Sequence, residues 1–166
     1  MNIARSKYRT CKSAPVSKSK EMSCPFCDII RREAYAQILF ETPLSIAFLD
    51  VKPINFGHTL VVSKKHFTGL LELPQDSYED VTRTLRVVAE AIVDAFQPAG
   101  FNIFNNNGAA AGQSVFHFHF HVAPRYNEDG LKIRPYFKIY DSPEQMAEYA
   151  KRIRDKIDLK EKSGEQ

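Results

Sequence analysis

The sequence predicts an α+β fold built on a mainly antiparallel sheet. Runs rich in β-branched and aromatic residues come in groups, at 37–41, 45–50 and 59–63 before one long helix and at 100–104 and 117–122 after it. That helix, 77–96, shows sustained apolar spacing of three and four residues. Strands and helices do not alternate as repeated βαβ units, which argues against a wholly parallel sheet.

Each element has a local cause. A short helix starts within 27–33, ahead of the extended runs 37–41 and 45–50. VKPINFGH then supplies a connection containing Pro and Gly. Thr59-Leu-Val-Val-Ser63 has the β-branched content of a buried strand. In the long helix Tyr78, Val81, Leu85, Val88, Ile92 and Phe96 make one apolar face. Asp76 followed by Glu79 matches a capping box with Asp in place of Ser or Thr, and Pro98 lies just beyond the helix. NNNGAAAGQ is a loop between the last two strands. A final helix takes Ser142 as N-cap and Pro143 as its first residue, with Met146, Tyr149, Ala150, Ile153 and Ile157 as its stripe.

A chain of 166 residues, 43% apolar and 26% charged, is expected to form one domain with tails. The expected body spans 21–157. Residues 1–20 carry six basic side chains, four serines and no acid. They read as a disordered basic tail or as an organellar transit segment. Residues 158–166 read as a polar tail. Without a run of 18 apolar residues no transmembrane helix is expected, and a net charge of +3 is too mild to point to nucleic acid. Cys11, Cys24 and Cys27, an odd set with one CxxC, suit a reducing compartment rather than a disulfide scaffold. A cytoplasmic location is expected, or a mitochondrial one if the tail directs it there.

The stretch GQSVFHFHFHVAPRY holds three of the five histidines. On a strand, His117, His119 and His121 share one face, and Phe116, Phe118, Phe120 and Val122 share the other. Burying three unpartnered imidazoles would be costly, so the face is expected to be functional. Two chemistries fit it. The histidines could chelate one metal ion, or a neutral imidazole could attack phosphorus beside a neighbour that holds a phosphate oxygen. The loop before the strand favours phosphorus. Gly108, Gly112, Gln113 and Ser114 allow close backbone approach and offer N–H groups and a hydroxyl to an anion.

The segment from Gly112 to Ala123 resembles the histidine triad (HIT) pattern, H-φ-H-φ-H-φ-φ with φ apolar, and every φ here is apolar. The similarity extends upstream through FLDVKPINFGHTLVVSKKH to CPFCDII, covering about 23–126. It is nearest the Hint-like nucleotide phosphoramidases and the bacterial-type HIT proteins, and PRY after the triad resembles the bacterial type. The resemblance implies a HIT-like fold of about five strands with one long helix and a C-terminal helix. It implies a hydrolase in which His119 attacks the α-phosphorus of a purine nucleoside phosphoramidate or related adenylate, forming a nucleotidyl-histidine that water releases. His121 would bind phosphate oxygens and Ser114 would assist the leaving group. Asp50 would hold the ribose, and Phe26, Ile29, Phe48 and Val51 would surround the base. Asn106, Gly112, Gln113 and Val115 would complete the nucleotide contacts. A homodimer is implied, with no organic cofactor, membrane or nucleic acid. Dinucleoside polyphosphate cleavage and nucleotide binding without turnover are the alternatives.

Cys24-Pro-Phe-Cys27 is close to a glutaredoxin motif, but a tail and not a strand precedes it. Two inert thiols and a metal half-site are the other readings. Resemblance to HIT proteins carrying this CxxC implies a structural zinc held by Cys24, Cys27, His66 and His117. His58 is left without a role.

Overall fold

A computed structural model describes residues 24–131 and 137–163; the basic tail of 1–20 lies outside them. The chain divides into two compact units, 1–129 and 130–166. In the first, five strands, β1 (Ile38–Glu41), β2 (Ser45–Leu49), β3 (Thr59–Ser63), β4 (Gly100–Phe104) and β5 (His119–Arg125), form one sheet in the order β1-β2-β3-β5-β4. Every neighbouring pair is antiparallel. Helix α1 (Pro25–Ile30) precedes the sheet, and α2 (Gln75–Phe96) connects β3 to β4.

β2 and β3 are buried almost throughout because both sheet faces are covered. On one face Ala47, Val61, Phe118 and Val122 pack against Val81, Leu85, Val88 and Ile92 of α2. On the other, Ile46, Phe48, Leu60 and Val62 cluster with Phe26 of α1. Register carries the histidines to the α1 face, since His121 pairs with Leu60 and His119 with Val62.

The middle of the expected α2 stripe forms the core, while Tyr78 and Phe96 at its ends stay exposed. The capping box does not form. Pro74 occupies the N-cap with no side-chain bond, Asp76 accepts from the N–H of Ser77, and Gln75 donates to Glu79. The helix starts earlier than Asp76 because Pro74 has the extended backbone that an N-cap needs. On the face toward the sheet, Asp80 of α2 accepts hydrogen bonds from Thr42 at 2.5 Å and Ser45 at 2.7 Å, and Thr84 bonds to Ser45 at 2.8 Å.

The second unit contains α3 (Pro143–Ser163). As expected, the Ser142 hydroxyl accepts from the N–H of Gln145 at 3.2 Å. The helix runs past Ile157, where the sequence placed the end of the body, and Met146, Tyr149, Ile153 and Ile157 of its stripe are exposed.

Candidate active site and metal centre

The regular part of β5 begins at His119, not at His117. A tight turn, with the N–H of His117 donating to the carbonyl of Val115 at 2.9 Å, precedes the ladder. This turn leaves Phe116 48% exposed, off the packed face expected for it, and swings His117 toward α1. The N–H of Phe118 donates to the carbonyl of Phe67 at 2.6 Å, which ties the segment bearing His66 to the same place.

Four side chains converge there. Nδ1 of His117 lies 3.3 Å from Sγ of Cys24 and 3.6 Å from Sγ of Cys27, and Nδ1 of His66 lies 3.3 Å from Sγ of Cys27. The donor atoms of all four lie within 4.8 Å of one another. A tetrahedral ion with bonds of about 2.3 Å to sulfur and about 2.0–2.1 Å to nitrogen sets S···N separations near 3.6 Å, so the set fits a closed Cys₂His₂ site. The Nε2–H of His117 donates to the carbonyl of Ser63 at 2.7 Å, which leaves Nδ1 as the lone-pair atom facing the thiols. Burial pushes the His117 pKa down to about 4, so the imidazole is neutral as a ligand must be. Burial, and then the Cys24 thiol beside it, pushes Cys27 up to about 11; a divalent cation opposes that shift. The cluster can hold a metal ion, and it takes His117 out of any site using all three histidines.

His119, 4% exposed, points its Nδ1 at the carbonyl of His117, 2.6 Å away. A carbonyl only accepts, so Nδ1 carries the proton and the neutral ring keeps its lone pair on Nε2. Burial lowers the His119 pKa and keeps that lone pair available near pH 7. The ring stands edge-on to Phe26, centroids 5.1 Å apart. Its main-chain oxygen accepts from Asn105 at 2.6 Å.

A second chain of hydrogen bonds sets His121. The N–H of Ile54 donates to Nδ1 of His58 at 3.2 Å, which places the His58 proton on Nε2. That Nε2–H faces Nδ1 of His121 at 3.0 Å. His121 therefore accepts on Nδ1 and presents an Nε2–H donor. Phe104 stacks on His121 at 4.3 Å and 12°. Burial first, then the neighbouring His119 and His58, pushes His121 down to about 4. Asp50 lies 3.5 Å from Nδ1 of His58 and accepts from the N–H of Lys52. Asp50, His58 and His121 are close enough to suggest a second metal set, but both nitrogens of His58 are already committed in this bonding pattern. The sequence offered no signal for this role of His58 beyond Gly57 before it.

A cavity of about 450 Å³ collects most of the expected site: Phe26, Ile29, Phe48, Asp50, Val51, Ser114, Val115, His119 and His121 all line it. The volume is that of a small-molecule site. Gln113 does not line it. Its amide accepts from the N–H of Gly108 and donates to the carbonyls of Thr68 and Val115, bracing the loop. Asn106 donates to the carbonyl of Gly112, whose φ of 84° favours glycine. Gly112 and Asn106 thus shape the loop from outside the cavity wall.

An antiparallel sheet that delivers alternate histidines to one cavity is the mark of the histidine triad proteins. Comparison with known proteins agrees: this chain belongs to the HIT family, whose HIT domain model matches residues 31–128. It is 39% identical over 138 residues to the adenosine 5'-monophosphoramidase of Schizosaccharomyces pombe, covering 82% of this chain and 99% of that one. Among solved structures, a HIT family protein from Bacillus subtilis superposes with a TM-score of 0.74 at 36% identity, covering 80% of this chain and 95% of that one. A zinc-bound histidine triad family protein from Mycobacterium smegmatis gives a TM-score of 0.63 at 36% identity, with 70% and 85% covered. Among the described residues no helix is long and apolar enough to cross a membrane.

Proposed function

We propose that this chain hydrolyses purine nucleoside 5'-phosphoramidates or related adenylates through a nucleotidyl-His119 intermediate. The observation that carries this is the pairing of tautomers at the cavity. His119 holds its proton at the His117 carbonyl and keeps a lone pair on Nε2, while His121 keeps an Nε2–H donor. One imidazole is a nucleophile and its neighbour a hydrogen-bond donor for a phosphate oxygen. Nε2 of His119 attacks the α-phosphorus. The bond from phosphorus to the leaving nitrogen breaks, and the nitrogen takes its electron pair and a proton, with the Ser114 hydroxyl at hand to relay it. Water then attacks phosphorus, the bond from phosphorus to Nε2 of His119 breaks, the ring recovers its lone pair, and the proton that the water gives up replaces the one taken by the leaving nitrogen. The net reaction consumes one water. Asp50 suits the ribose hydroxyls, and Phe26, Ile29, Phe48 and Val51 suit the base. The named activity of the Schizosaccharomyces pombe relative supports this reading.

The test is rapid quenching of the protein with adenosine 5'-phosphoramidate, followed by peptide mass analysis. A nucleotidyl adduct on His119 is expected, and His119→Ala should lose at least about 10³-fold in kcat. Tight AMP binding with no turnover of any phosphoramidate would instead favour a nucleotide-binding protein without catalysis.

The metal fitting the Cys₂His₂ set is assigned as zinc, in a structural role that anchors α1 beside the catalytic strand; the zinc-bound relative supports this. Reduced thiolate ligands are consistent with a cytoplasmic location. A homodimer is supported by β4, an edge strand with Phe101 and Ile103 about 43–44% exposed. Light scattering should give a mass near twice the 19.0 kDa of the chain.

A further inference from the structure

A second cavity of about 510 Å³ adjoins the first and shares Pro25, Ser114 and Val115 with it. Its remaining wall includes His66, Thr68 and the exposed ring of Phe116. The two cavities meet at Ser114, the residue assigned to the leaving group in the proposed reaction. The second contains neither His119 nor His121, so of the three residues in the proposed reaction only Ser114 borders it. It is far larger than a leaving ammonia needs, since a water-sized molecule takes about 30 Å³. None of its lining residues is Lys, Arg, Asp or Glu. Two thiolates and two neutral imidazoles around a divalent ion also sum to zero charge.

We propose that this second cavity is the leaving-group subsite, and that it takes a neutral, apolar-bodied amine stacked on Phe116. This inference rests on the nucleotidyl-transfer reading and adds what departs from phosphorus. A second nucleotide or a polyphosphate tail would arrive with several negative charges and no cation in the wall to meet them. An amine with a cationic side chain would find no carboxylate. A flat or branched apolar group finds Phe116, Val115 and Pro25. In the reaction the phosphorus–nitrogen bond breaks, and the amine takes a proton and leaves through this opening as the free base.

The experiment compares four substrates with the metal-loaded protein: adenosine 5'-phosphoramidate, its N-benzyl and N-(4-aminobutyl) derivatives, and diadenosine tetraphosphate. Ammonia and benzylamine are similarly basic, so their difference reports binding rather than bond strength. The benzyl substrate should exceed the ammonia substrate in kcat/KM by about tenfold or more, mostly through KM. In Phe116→Ala that ratio should fall to within about threefold of unity. Equal values for the two in the native protein, a ratio that survives in Phe116→Ala, or preference for the cationic or polyphosphate substrate would overturn the proposal. The subsite is also read without turnover, in His119→Ala. There the benzyl compound should bind about tenfold more tightly than AMP, with the advantage lost in the Phe116→Ala double variant. Equal affinities sink the subsite even if transfer is correct. No hydrolysis of any substrate, alongside a retained Phe116-dependent affinity, sinks the transfer reading and leaves the subsite standing.

Discussion

His119 donates its Nδ1–H to the main-chain carbonyl of His117 at 2.6 Å, while the His117 side chain faces the two thiols of α1. One residue thus joins the Cys₂His₂ cluster to the imidazole of His119. The metal set fixes the His117 ring, and the His117 carbonyl fixes which nitrogen of His119 carries the proton.

Removing a thiol ligand should therefore reach the nucleophile. Cys24→Ser is expected to lose the metal; kcat should drop because His119 loses its orientation, and KM should rise because α1 carries Phe26 and Ile29 of the cavity wall. Elemental analysis should give about one zinc per chain in the native protein. It should be retained in His119→Ala and absent in Cys24→Ser. Loss of the metal from His119→Ala would mean that the histidines of the cavity hold it.

His58 acts on His121 as a positioning residue. In His58→Ala, Nδ1 of His121 loses its donor, and the ring can place its proton on either nitrogen. Nitrogen-15 NMR should show the Nε2–H tautomer of His121 in the native protein and a mixture in the variant. We expect kcat to fall by about tenfold or more. His58→Gln, whose amide can still donate, should recover part of it. A single unchanged tautomer in His58→Ala would remove this role.

Acid should weaken the fold through the same imidazoles. His117 and His121 have folded pKa values of about 4, below the ordinary 6.5, because burial disfavours their charged forms. The unfolded chain binds more protons between those values, so stability falls as pH drops from about 6.5 to 4 and levels off below. His117 alone contributes on the order of 3 kcal/mol over that window. Metal release works in the same direction, since protons compete for its ligands. Denaturation midpoints across pH 4–7 test this. A midpoint constant over that range would contradict it. The acid limb of kcat/KM should also lie below pH 6.5, because the His119 pKa is lowered.

Asp80 offers a control away from the site. It is 9% exposed and accepts from Thr42 and Ser45 on the helix-covered face. Asp80→Ala leaves these two hydroxyls short of an acceptor and should cost about 2–3 kcal/mol in urea unfolding, with little change in KM. A cost under about 0.5 kcal/mol would show that the hydroxyls satisfy each other.

Much of this protein is legible in its chain. The strand at 59–63 and the apolar middle of α2 follow from side-chain periodicity, a local property that the fold had only to use. Alternation puts His119 and His121 on one face, and the pairing of β5 with Val62 and Leu60 carries both to the α1 side. Other features depend on distant contacts. The turn at His117 that exposes Phe116 answers to cysteines 90 or more residues away in sequence. The capping box failed because Pro74 already met the backbone requirement of the helix start. His58, without a recognisable motif, gained its role from the strand beside it. Residue order was enough to tell which side chains could do chemistry and which faces they share, because alternation and spacing are properties of the chain. Which nitrogen of each imidazole carries the proton came from folding alone, because a tautomer is set by the partner atom brought within about 3 Å.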